Sequence, residues 1–171
     1  MLFAAKEAGI KRFVYASSSS VYGDEPNLPK REEKIGKPLS PYAVSKLTNE
    51  LYAAVFGQTY GMEVIGLRYF NVYGPKQDPE GVYAAVIPLF LKHLFNNEAA
   101  FINGDGEQTR DFTYVDNAVQ ANLLGLTTTN NLAYNQVYNV AVGEKFSVNE
   151  MYEMIRSYLN KDIAAIHREE R

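Results

Sequence analysis

Strand-like runs alternating with helical stretches predict an α/β protein: a parallel sheet with helices packed on its faces. Three observations carry that reading. Arg12–Ala16 (RFVYA) is a short apolar run of β type. After it, Val44, Leu47, Leu51, Ala54 and Val55 recur at helical spacing. Val64–Tyr69 (VIGLRY) is a second run of β type directly behind that helix.

The elements follow in chain order. Leu2–Ala8 reads as the tail of a helix, stopped by Gly9 just past its C-terminus. Arg12–Ala16 is the first strand. Pro41 sits at an N-terminal helical position, Tyr42–Tyr60 continues the helix, and Gly61 ends it. Val64–Tyr69 is the next strand. Val82–Phe95 reads as helical with a break near Pro88. Ala99–Ile102 and Arg110–Tyr114 read as short strands around Gly104-Asp105-Gly106, a hairpin-turn signal. Asp116 is placed to N-cap a helix through Leu126. Val137–Val142 is a strand, and Ser147-Val148-Asn149-Glu150 is a capping box opening a helix over Met151–Leu159. The loop Asp24–Ser40 is long for a compact domain, and loops of that length are usually functional or mobile.

Composition narrows the function classes. The chain has 171 residues, 46% of them hydrophobic, enough for a compact core. A net charge of −3 with scattered Lys and Arg argues against nucleic acid or an anionic membrane as partner. The absence of cysteine excludes disulfides, thiolate metal sites and a Cys nucleophile. The two histidines, His93 and His167, are too few for a His-based metal site or triad, and neither receives a role. The longest apolar run, Val82–Leu91, is about half a membrane span and contains Pro88. Lys6 and Glu7 spoil a signal-peptide core, so a cytoplasmic protein is expected.

Two clusters carry chemistry. Tyr42 and Lys46 stand at i and i+4, on one helix face. A phenol titrates near ~10 and is a poor base at neutral pH, but a neighbouring ammonium or a nicotinamide cation favours its phenolate. Such a pair can remove a hydroxyl proton while hydride leaves the same carbon. Alone, Tyr-x-x-x-Lys is a weak signal that more often marks a surface helix with a half-buried Tyr and a snorkelling Lys. The second cluster is Ser17-Ser18-Ser19-Ser20, where the first strand ends. Open α/β sheets bind ligands beyond the C-terminal ends of their parallel strands. Hydroxyls at a strand end, followed by Tyr-x-x-x-Lys on the next helix, form a more specific signal than either part.

On the stretches RFVYASSSSVYGDEP, SPYAVSKLTNE, GLRYFNVYGPKQDP and GDGEQTRDFTYVDNAV the sequence resembles the extended short-chain dehydrogenase/reductase family, in particular its nucleotide-sugar 4-epimerases. The resemblance implies a partial Rossmann fold, a doubly wound parallel sheet, with an inserted small substrate-binding α/β subdomain. It divides the chain into NAD-binding sheet at 1–74 and 116–145 and substrate-binding parts at 75–115 and 146–171. It implies NAD as cofactor, a UDP-sugar as substrate, and a homodimer of the full-length protein through the long helices flanking the sheet. By resemblance Ser18 holds the sugar 4-oxygen, Tyr42 is the general base, and Lys46 binds the nicotinamide ribose and eases deprotonation of Tyr42. Ser19 and Ser20 line the sugar site. Tyr69 lies near the nicotinamide and Asn71 binds the nucleotide sugar. Ala85 and Val86 offer backbone groups to the base, and Phe101 stacks near it. Arg110 pairs with the diphosphate, as does Arg171 if it is the family's second such arginine. For Tyr69 and Phe101 core packing is the alternative, and for Arg110 a surface pairing with Asp111.

Dehydratases and decarboxylating members of this family carry a carboxylate beside the catalytic hydroxyl. Ser19 and Ser20 stand there instead, which favours epimerisation. The stretch Gln77–Pro88 resembles the subgroup acting on UDP-N-acetylglucosamine or its uronic acid in bacterial surface-polysaccharide pathways; the small Ala84 and Ala85 are consistent with room for an N-acetyl group, and the assignment rests on the resemblance. UDP-glucuronate or UDP-glucose 4-epimerisation, or a non-catalytic sugar-nucleotide-binding remnant, are the alternatives. No glycine-rich phosphate turn follows a strand anywhere in the chain. The expectation is therefore the catalytic middle of a longer protein, with 171 residues that alone are marginally stable, self-associate, and neither hold NAD nor epimerise.

Overall fold

The computed structural model describes residues 1–81 and 85–169. The chain divides into two compact units, Met1–Val72 with Thr113–Ala141, and Tyr73–Phe112 with Val142–Arg171. The first contains α1 (Leu2–Glu7), β1 (Arg12–Ser18), a 3-10 turn (Ser19–Tyr22), α2 (Pro41–Tyr60) and β2 (Glu63–Tyr69). After β2 the chain runs through β3 (Asn71–Tyr73) into the second unit, which holds α3 (Val86–Phe95), β4 (Phe101–Asn103) and β5 (Thr109–Arg110). It returns through β6 (Phe112–Tyr114) to α4 (Val115–Thr127) and β7 (Gln136–Val140) of the first unit. Then β8 (Phe146–Ser147), α5 (Val148–Tyr158) and β9 (Ile166–Arg168) complete the second.

In the first unit β1, β2 and β7 form a parallel sheet in that order. Its register puts Ser18, Tyr69 and Val140 in one row at the C-terminal edge. Residues alternate between the faces, as a pleated strand requires. Phe13, Tyr15 and Val64 pack under α2 with Ala53 and Phe56. Val14, Ile65 and Leu67 pack under α4 with Ala118 and Ala121. Helix α2 begins where Ser40 accepts a hydrogen bond from the Ala43 amide and Pro41 takes the first position. It ends at Gly61, whose N–H bonds the Gly57 carbonyl and whose left-handed backbone (φ 67°) then turns the chain off the helix. Strand β1 is an edge of this sheet. Beside it Leu2, Phe3, Phe13, Tyr15, Tyr52 and Phe56 line an open apolar hollow.

The second unit is built around Phe90, Leu94, Ala100, Ile102, Val148 and Tyr152, with the Phe90 and Tyr152 rings edge to face at 5.1 Å. Helix α5 starts with the expected capping box between Ser147 and Glu150.

Three expectations need correction. Residues around Gly104-Asp105-Gly106 do not pair as a hairpin: β4 runs parallel to β9, and β5 antiparallel to β8. The turn signal was real as a turn (Gly104 and Gly106 have positive φ), but the flanking strands take partners far along the chain. Pro88 breaks nothing. It is the third residue of α3, where a missing N–H removes no intrahelical bond. Asp116 is not an N-cap. Tyr114 occupies the cap, and Asp116 lies in the first turn, where its charge still favours the helix dipole. Among the described residues no helix is long and apolar enough to cross a membrane.

Candidate active site

The first unit brings Ser18, Ser19, Ser20, Tyr42, Lys46, Tyr69 and Asn71 together in one fold unit. Ser18 closes β1 and caps the 3-10 turn, its Oγ accepting from the Ser20 amide at 3.1 Å. Ser20 Oγ is buried with no hydrogen-bond partner in the protein. Tyr42 sits in the first turn of α2 and is 55% exposed. One turn on, Lys46 Nζ lies 5.6 Å from the Tyr42 ring centroid and donates to the Ala16 carbonyl at 3.1 Å. The Tyr–Lys pair is therefore anchored to β1 two residues before Ser18. Tyr69 ends β2, and its hydroxyl accepts from Asn122 Nδ2 of α4 at 2.7 Å. Asn71 begins β3 and is exposed.

Sequence reasoning missed the polar groups that hold this arrangement. Glu50 of α2 receives both Nε (2.9 Å) and Nη2 (2.8 Å) of Arg68. It also accepts from Ser17 Oγ. Arg68 is 3% exposed and Glu50 7%. Burial opposes the Arg68 charge, but Glu50 and Tyr22 outweigh it and hold the guanidinium above its ordinary pKa. Burial pushes the Tyr22 phenol up despite Arg68 beside it. Tyr15 is raised by burial and by the Glu50 charge. A signal existed: Arg68 is the charged residue in the otherwise uncharged run Val64–Tyr69, and charged side chains are rarely buried unless paired.

The second unit contains Ala85, Val86, Phe101 and Arg110. Ala85 is the N-cap of α3 and Val86 its first residue. The Arg168 guanidinium lies over the Phe101 ring, 3.1 Å from its centroid, and His93 meets that ring edge-on at 5.9 Å. Arg110 ends β5, opposite Phe146 in the ladder; it is exposed, and Nη1 donates to the Thr109 carbonyl. The neighbouring Asp111 accepts from the amides of Val142 (3.1 Å) and Gly143 (2.7 Å). Arg171 and Ala84 lie outside the described residues. No cluster of His, Asp and Glu among the described residues could hold a metal.

A parallel strand ending in hydroxyls, with the Lys46 ammonium bonded near that end and the Tyr42 phenol beside the ammonium, defines an α/β site suited to moving a proton at a carbon–oxygen centre. Residues 1–141 match the NAD dependent epimerase/dehydratase family, and the chain belongs to that family. A UDP-N-acetylglucosamine 4-epimerase from Methanobrevibacter ruminantium, solved with UDP-N-acetylmuramic acid, is 44% identical, with a TM-score of 0.93 over 99% of this chain and 53% of that one. A UDP-glucuronic acid 4-epimerase from Bacillus cereus, solved with its UDP-sugar and NAD, is 31% identical, with a TM-score of 0.89 over 99% of this chain and 52% of that one. The UDP-glucose 4-epimerase of Mycolicibacterium smegmatis is 35% identical over 89% of this chain and 48% of its own length. The fold is thus the expected Rossmann-like α/β architecture, and the chain spans about half the length of the relatives it matches.

Proposed function

We propose that the whole protein is an NAD-dependent 4-epimerase of a UDP-sugar, acting on a UDP-N-acetylhexosamine or its uronic acid. The observation that carries this reading is the Tyr42–Lys46 pair anchored on Ala16 beside Ser18. The residues fit a bound nicotinamide and sugar: Tyr42 is open, Lys46 flanks it, and Ser20 Oγ is a buried hydroxyl lacking a protein partner.

NAD, when bound, supplies acceptance and return of hydride at the sugar C4. Tyr42 takes the proton of the C4 hydroxyl, with the Lys46 ammonium one turn away on the same helix. Ser18 holds the same oxygen by hydrogen bond. Tyr69 borders the nicotinamide, and Asn71 and Ser19 line the sugar. In the second unit Ala85 and Val86 offer backbone groups to the uracil, and Phe101 packs near it. Arg110 pairs with the diphosphate, a match for a forked guanidinium; Arg171 is assigned the same partner. The family also contains dehydratases, but Ser19 and Ser20 give no carboxylate next to Ser18 for eliminating water. The whole protein is assigned to the cytoplasm and to a homodimer, for which Val44, Leu51 and Val55 of α2 offer exposed apolar surface.

UDP-N-acetylglucosamine, UDP-glucuronate, UDP-glucose and dTDP-glucose, each incubated with the whole protein, test the reading. The expected product is the 4-epimer of the N-acetylhexosamine or its uronic acid. Turnover confined to UDP-glucose or UDP-glucuronate moves the substrate assignment to the relatives that act on them. A 4-keto-6-deoxy product, or no conversion at all, overturns the epimerase reading.

A further inference from the structure

Glu50 lies one helical turn beyond Lys46 and two beyond Tyr42, so the three share a stripe of α2. Its carboxylate gathers Ser17 Oγ and two nitrogens of Arg68. Ser17 and Arg68 are register partners on β1 and β2, one residue before Ser18 and Tyr69. The remaining Arg68 nitrogen, Nη1, donates to the Glu32 carbonyl at 3.0 Å, inside the long loop that links the 3-10 turn to α2. The guanidinium also lies 5.0 Å from the Tyr22 ring centroid. Tyr22 Oη donates to Asn139 Oδ1, and Asn139 Nδ2 donates to the Lys30 carbonyl in that same loop. The Asn139 amide donates to the Glu32 carboxylate. One ion pair thus ties together a helix, two strand ends and a loop.

Stability alone does not call for such a pair. Two buried ions lose their hydration, and a packed apolar pair of similar volume serves folding equally well. An apolar pair lacks direction, whereas a guanidinium fork on a carboxylate fixes both distance and angle. The other buried residues of α2 are Ala43, Ala53 and Gly57, small groups that give the helix little to index against along its axis.

We propose that Glu50 and Arg68 are positioning residues, a clamp that sets the Tyr42–Lys46 segment and the residue 24–40 loop against the ends of β1 and β2. Its catalytic consequence rests on the epimerase reading; its structural consequence does not. Neither side chain acts on substrate. Lys46 stays on Ala16, and Tyr42 keeps its place one turn before Lys46, because Glu50 is pinned one turn behind Lys46.

The test is the double variant Glu50→Leu/Arg68→Met in the whole protein, which removes both charges and leaves neither ion unpaired. Arg68→Lys, which keeps the charge without the fork, is measured in parallel and decides the matter if the double variant does not fold. With far-ultraviolet dichroism as in wild type, the amides of Lys34, Gly36 and Lys37 are expected to exchange at least ~10-fold faster, while those of β4 are unchanged. Turnover should fall at least ~10-fold with KM held within ~3-fold, the split expected when geometry and not substrate contact is lost. Loop amides exchanging at the wild-type rate overturn the clamp, whatever the enzyme does. Freed loop amides with wild-type kcat overturn its catalytic role. If the wild-type protein epimerises no UDP-sugar, the functional reading falls by itself and hydrogen exchange alone decides the clamp.

Discussion

The two units hold their polar side chains by different physics. In the first, the strand ends and α2 are joined by a buried ion pair and the hydrogen bonds around it. In the second, the strands rest on an apolar core of Phe90, Leu94, Ile102 and Tyr152, and polar groups act at element ends, in the Ser147–Glu150 box and on Asp111. Apolar burial is non-directional and fixes a position only through packing. Charge-assisted forks fix angles. The unit carrying the proposed proton chemistry uses the directional device, and the unit carrying the proposed nucleotide contacts uses the packed one.

The largest effect should come from breaking the packed unit. Phe90 is 1% exposed and stacks edge to face on Tyr152. Phe90→Ala should cost about 3–5 kcal/mol, the scale of a large aromatic removed from a core. Hydrogen exchange in the whole protein should show amides of α5 and β4 losing protection while those of β1 and β2 keep it. Equal loss in both would mean that the units are one cooperative body, and the contrast between them would be false.

Next comes the directional unit. Tyr42→Phe removes one exposed hydroxyl and no core contact, so melting temperature should hardly move. Turnover in the whole protein should fall at least ~100-fold, or about 2.7 kcal/mol, the scale of a lost general base, with KM little changed. Near-normal turnover would remove Tyr42 from its proposed role. A smaller effect is expected from Arg110, which is exposed and bonded to its neighbour's carbonyl. Arg110→Ala should weaken UDP binding by about 1.5–3 kcal/mol, the range of a charge-assisted bond, with no change in fold. Unaltered UDP affinity in a calorimetric titration would reassign the diphosphate contact.

The same contrast decides what could be read from the sequence. Long elements with local signals were legible: α2 from its spacing between Pro41 and Gly61, β1 and β2 as apolar runs, α5 from its capping box. The hydroxyls of Ser18 and Ser20 and the Tyr42–Lys46 pair were legible because their spacing is set within one strand end and one helix. Pairings between distant segments were not. Strands of two or three residues, such as β4, β5, β8 and β9, carry too little pattern to name their partners, and a Gly-Asp-Gly turn between two of them suggested a hairpin that does not form. Glu50 and Arg68 stand 18 residues apart in the chain, and only the register of β1 and β2 reveals that they meet Ser17.

The finest test concerns the cap that joins the packed unit's helix to its strands. Ser147 Oγ accepts from the Glu150 amide at 3.0 Å, and the Glu150 carboxylate accepts from the Ser147 amide at 2.7 Å. Ser147 is buried and pairs with Thr109 in the short ladder that also seats Arg110 opposite Phe146. Ser147→Ala leaves the Glu150 amide without its acceptor, and a lost N-cap costs about 1 kcal/mol. Ser147→Thr keeps the oxygen and should recover most of it. Because the side chain, not the ladder, is lost, UDP affinity should fall less than about 2-fold, a fraction of the Arg110→Ala effect. A drop as large as that of Arg110→Ala would mean that the cap itself sets the arginine's strand. Polar groups would then be doing in the second unit what the ion pair does in the first.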